Sequence, residues 1–110
     1  MEINPEIYKK YQIERALRRS YLKRRIVQYL STHGFGYMAE IAHDIGATST
    51  NVCGAMKGMD GRYVKGNSLL ELGVVSEMEM KNGTKSKVFS LTSSLGQEAV
   101  RICKKFDRNI

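Results

Sequence analysis

Ser49, Thr50, Asn51, Cys53 and Lys57 fall within one short stretch, at positions that helical spacing turns away from the apolar Val52, Met56 and Met59. Their chemistry is recognition rather than bond making. The Asn51 carboxamide offers a paired donor and acceptor that fits an adenine edge. The Ser49 and Thr50 hydroxyls suit base edges or phosphate, and Lys57 adds a cation. Nothing comparable points to catalysis. His33 and His43 have no acid or nucleophile at a recognisable spacing, and are expected to serve as surface or packing residues. Cys53 and Cys103 form no CxxC pair and lie far apart, which excludes a metal knuckle and a disulfide framework. We expect no enzyme, no metal site and no cofactor. Cys53 is the one position where oxidation would alter the recognition surface.

Side chains of this kind need a rigid helix to present them, and the surrounding sequence supplies one. A helix over about 38–45, with Ile41, Ala42 and Ile45 inward, is stopped by Gly46, and Thr48, Ser49 and Thr50 offer caps for a second helix over about 49–59. Residues 60–68 (DGRYVKGNS) read as a loop, and LLEL ahead of Gly73 reads as one apolar helical turn. Residues 74–80 and 85–91 flank Asn82 and Gly83, a hairpin signal that predicts Val74 opposite Leu91 and Ser76 opposite Phe89. Helix, tight turn, helix and hairpin in this order are what a winged helix-turn-helix requires.

Upstream, Asn4 and Pro5 start a helical pattern that continues to Gly34, as one long helix or as two joined near residues 13–20. Downstream, Thr92 or Ser93 caps a last helix over about 94–106, with Leu95, Ala99, Ile102 and Phe106 on one stripe. The fold class is therefore α+β, mainly α. Its 110 residues are sized for one domain, with residues 1–20 as a helical extension, 21–93 as the winged core and 94–110 as the C-terminal helix.

Composition agrees with an anionic partner. Eighteen Lys and Arg stand against 11 Asp and Glu, a formal net charge of +7. No apolar run reaches the roughly 20 residues of a membrane span and no signal-peptide pattern opens the chain, so a cytoplasmic protein with no membrane partner is expected.

The string IAHDIGATSTNVCGAMKGM resembles the helix-turn-helix of small winged-helix regulators of the MarR and ArsR type, in the short form common in archaea. LELGVV is similar to the segment entering the wing, and FSLTSSLGQEAV to the second wing strand running into the last helix; together the resemblance spans about residues 25–99. It implies a sequence-specific, double-stranded DNA-binding transcriptional regulator, with residues 49–59 in the major groove and the wing, residues 81–87, on the backbone. Two departures stand out: Gly54 occupies a place where a bulky polar or basic side chain is common, and residues 60–68 form an insert before the wing. Both shift the expected affinity toward cations outside the recognition helix.

Those cations are Arg24, Arg25, Arg62, Lys65, Lys81, Lys85 and Lys87, all expected to neutralise phosphates. Ile7, Tyr8, Tyr11, Leu17 and Tyr21, with Ile102 and Phe106, exceed what a minimal core requires and are assigned to a homodimer interface. Alternatives are a winged helix used for protein interaction, packing through Gly54 and Gly58, and an RNA- or ribosome-associated winged helix. No small-molecule effector can be read from the pattern.

Overall fold

Asn4 opens the first helix as its side chain and the following proline dictate: Asn4 Oδ1 accepts the Glu6 amide at 2.8 Å and Pro5 takes the first helical position. The computed structural model describes residues 4–58, 67–81 and 85–107, and of residues 80, 81, 85 and 86 the backbone alone. Helix α1 (Pro5–Arg19) ends at Ser20, which is extended at φ −134° and ψ 102°. Ser20 then caps α2 (Tyr21–His33), its Oγ accepting the Lys23 amide at 3.1 Å. The long basic stretch is thus two helices hinged on one serine.

Strand β1 (Gly36–Tyr37) follows, then α3 (Met38–Ile45), α4 (Ser49–Lys57), β2 (Val75–Lys81), β3 (Lys85–Leu91) and α5 (Leu95–Phe106). The strands form an antiparallel sheet in the order β1-β3-β2. Gly36 is required for this closure, because a Cβ there would lie 2.9 Å from Ile41 Cγ1 and 3.0 Å from a Tyr29 ring carbon. Thr92 caps α5 from a distance, its Oγ1 accepting the Gly96 amide at 2.8 Å. The architecture is α+β and mainly helical: a helix-turn-helix with a hairpin wing, flanked by α1 and α5.

One core cluster runs through these elements. Ile13 and Leu17 of α1, Ile26, Val27 and Leu30 of α2, Ile41 of α3, Val52 and Met56 of α4, Phe89 of β3 and Ile102 of α5 all belong to it. Leu17 and Ile102 are at most 2% exposed, so neither can contribute to a dimer interface; their apolar side chains belong to the chain's own interior. The helix α4 closes at Lys57, and Met59 lies outside the described residues.

The wing register differs by one residue from expectation. Val75, not Val74, lies opposite Leu91, and Glu77, not Ser76, lies opposite Phe89. Such a slip exchanges the two faces of a strand. The observed pairing buries Val75 beside Phe89 and leaves Ser76 and Met78 exposed, whereas the expected pairing would have aligned Ser76 and Met78 with the apolar face. Lys81 pairs with Lys85, so three residues, 82–84, connect the strands in place of the two-residue Asn-Gly turn; they lie outside the described residues.

Candidate nucleic-acid interface

The turn between α3 and α4 fixes the presentation of the second helix. Gly46 adopts φ 75°, which favours glycine, and the Ala47 amide returns to Ala42 O at 2.9 Å. Thr48 is extended and its Oγ1 accepts the Asn51 amide at 3.1 Å. With Val52, Ala55 and Met56 locked into the core, the first turn of α4 points away from it. Ser49, Thr50 and Asn51 are exposed there, and their side chains make no hydrogen bond among the described residues. Cys53 is half-buried, and Cys103 is buried in the core, where loss of solvent pushes its thiol up to about 12.

The two glycines named for docking differ in exposure. Gly54 is buried within the chain. Gly58 is half-buried and caps the helix at φ 82°, where an added Cβ would lie 3.2 Å from Glu71 Oε1 and 3.6 Å from Ser68 Cβ.

Lys57, expected to read a base, occupies the last turn of α4, away from the exposed first turn. Its Nζ lies 3.5 Å from Glu77 Oε2 and 5.8 Å from the centre of the Phe89 ring, so it is directed at the wing. Lys87, from the facing strand, donates to Glu77 Oε1 at 2.9 Å. The Lys87 hydrogen bond, against the opposing effect of partial burial and with the charge of Lys57, holds the Glu77 carboxyl below the usual glutamate range. Lys87 is correspondingly raised, chiefly by the same hydrogen bond. Tyr37, Met38, Lys57, Lys87 and Phe89 line a shallow cleft of about 330 Å³ at this junction.

Glu77 is the residue that sequence reasoning missed. In the expected register it pointed to the face opposite Lys87; in the observed one, its partner Phe89 makes Lys87 a diagonal neighbour on the same face.

The remaining cations separate into groups. Arg24, expected at a phosphate, is engaged within the chain: its Nε donates to Asp107 Oδ2 at 3.0 Å and its Nη1 to Leu17 O at 2.7 Å and Arg18 O at 3.1 Å. It joins α1, α2 and the end of α5, with only 15% of its side chain exposed. Arg25 is half-buried and lines a cavity of about 600 Å³ walled by α2, the end of α3 and α5. Arg62 and Lys65 lie outside the described residues, as do the side chains of Lys81 and Lys85.

Ile7, Tyr8 and Tyr11 on α1, Tyr21 on α2 and Phe106 on α5 are all exposed. Arg24 links the last two, its guanidinium carbon lying 5.6 Å from the Tyr21 ring centre and 5.8 Å from that of Phe106.

Residues 13–102 match the model of the EarA-like family. The chain belongs to the EarA-like family. Within that assignment, the uncharacterized protein MJ0905 of Methanocaldococcus jannaschii is 37% identical over 98 residues, covering 86% of this chain and 84% of its own. The crystal structure of YusO from Bacillus subtilis superposes with a TM-score of 0.58 at 12% identity, covering 92% of this EarA-like chain and 69% of YusO. At that identity the likeness concerns the fold, which is a winged helix. Among the described residues of this EarA-like chain, no helix is long and apolar enough to cross a membrane, and no cluster of three or more His, Cys, Asp or Glu is placed to hold a metal ion.

Proposed function

We propose that this protein is a sequence-specific, double-stranded DNA-binding transcriptional regulator of the MarR and ArsR type. The observation that carries the reading is the first turn of α4: Ser49, Thr50 and Asn51 are exposed on the second helix of a helix-turn-helix and have no side-chain partner among the described residues. In such motifs the amino-terminal part of the second helix enters the major groove while the wing lies along the backbone. Asn51 reads a base edge, Ser49 and Thr50 contact bases or phosphate, and the net charge of +7 supplies the sequence-independent attraction. The protein-interaction alternative draws on Gly54 and Gly58, and the burial of Gly54 within the chain favours the duplex reading over it.

Anisotropy titrations of random and promoter duplexes over a range of salt test this. With about five to eight phosphates neutralised, the log-log slope of affinity against salt should be about −4.5 to −7. Absent or salt-insensitive binding would overturn the reading, and preference for structured RNA over duplex would transfer it to RNA. Asn51→Ala should change the ranking of duplex sequences while leaving the salt slope in place.

The regulator acts as a homodimer, through the exposed apolar row of Ile7, Tyr8, Tyr11, Tyr21 and Phe106. Isologous pairing of this row would match a palindromic operator. Sedimentation equilibrium should give a dimer for the wild type and a folded monomer for Tyr8→Glu/Tyr11→Glu. A monomeric wild type, or a variant that still dimerises, sinks this assignment.

A further inference from the structure

We infer that Lys57, Lys87 and Glu77 form a subsite for a single phosphate of the DNA backbone, at the junction of the recognition helix and the wing, with Glu77 as its positioning residue. This rests on the duplex-binding reading above and makes it specific to one group.

Two lysines from different elements converge here. Lys57 comes from the last turn of α4 and Lys87 from β3, and they bind the two oxygens of one carboxylate, Oε2 at 3.5 Å and Oε1 at 2.9 Å. Without that carboxylate, neighbouring ammonium groups repel and spread apart. With it, both ammonium groups are held on one carboxylate and the trio carries a net charge of +1. Each ammonium has three donors and spends one on Glu77. The donors left over on both ammonium groups are available to the non-bridging oxygens of a phosphodiester.

Exposure decides which charge an incoming phosphate meets. The side chains of Lys87 and Lys57 are 52% and 34% exposed and that of Glu77 is 22%, so the cations lie outward of the anion. The cleft beside them, walled by Tyr37, Met38 and the Phe89 ring, is open to the same group. Phe89 also faces Lys57 Nζ at 5.8 Å, which limits how far that ammonium can swing away. The subsite thereby measures the distance between groove and wing contacts, and Lys57 acts on the backbone, not on a base.

Counting phosphates through the salt slope tests this with the full chain and a random-sequence duplex. If both lysines hold one phosphate, Lys57→Gln/Lys87→Gln flattens the slope by about 0.9, the value for one contact. A loss of about 1.8, two separate phosphates, or no loss at all overturns the subsite while leaving duplex binding intact. In a Glu77→Gln background the lysines act independently, and the same double replacement should remove about 1.8; an unchanged loss of 0.9 would remove Glu77 from its role. A wild type without salt-dependent binding overturns the DNA reading and the subsite together. Circular dichroism on each variant confirms that the fold survives the replacements.

Discussion

Phe89→Ala is expected to lower the unfolding free energy by about 3–5 kcal/mol, the cost of emptying a large aromatic site in a packed core. The side chain is 1% exposed, and it stands where three elements depend on it. Its backbone pairs with Gly36 of β1 on one side and Glu77 of β2 on the other, and its ring faces Lys57 of α4. Small domains retain only about 5–15 kcal/mol in total, so this loss removes a large fraction of it. Met78→Ala on the same hairpin is the control: Met78 is 62% exposed, and its replacement should stay within about 0.5 kcal/mol. Urea denaturation of the two variants should give midpoints far apart. Similar midpoints would mean that the wing is not anchored through Phe89.

The second large effect concerns Arg24. Breaking a buried ion pair by removing one partner costs about 3–5 kcal/mol. Asp107 keeps the hydrogen bond that Gln28 Nε2 donates to its Oδ2 at 3.0 Å, so Arg24→Met should fall nearer about 2–3 kcal/mol, a loss of hydrogen bonds to Asp107, Leu17 and Arg18 partly offset by retained packing. Denaturation measures that loss directly. If the proposed DNA binding holds, its salt slope should stay as in the wild type, since the guanidinium is committed inside the protein. A stable variant whose slope flattens by about 0.9 would return Arg24 to the phosphate contacts.

Arg24 and Lys57 illustrate what sequence could and could not supply. Local signals carried the elements well: Asn4-Pro5, Gly46 followed by Thr48, and Gly73 each set a boundary through backbone preferences that operate within a few residues. The first turn of α4 was legible for the same reason, because Val52 and Met56 fix which side faces inward. Tertiary partners were not. A basic residue on a helix reads alike whether it meets solvent, phosphate or a carboxylate 83 positions away, as Arg24 meets Asp107. Leu17 and Ile102 read as surplus apolar surface because the packing of α1 against α5 has no local signature. The wing error had a sharper cause. A hairpin with two residues in its turn and one with three differ by a single step in register, and that step moved Glu77 across the strand and concealed the cluster it organises.

The two ends of residues 59–66 are stapled together. Ser68 Cβ lies 3.6 Å from where a Cβ on Gly58 would stand, and the Leu69 and Leu70 amides donate to Ala55 and Met56 carbonyls at 3.0 Å. On the far side Lys23 Nζ clamps Asn67 O at 2.7 Å. A segment whose feet are held this way is a detachable port: each doubling of its length costs only about 0.6 kcal/mol in closure entropy, and α4 is braced independently of it. A reporter peptide spliced into this stretch should therefore ride beside α4 without displacing it.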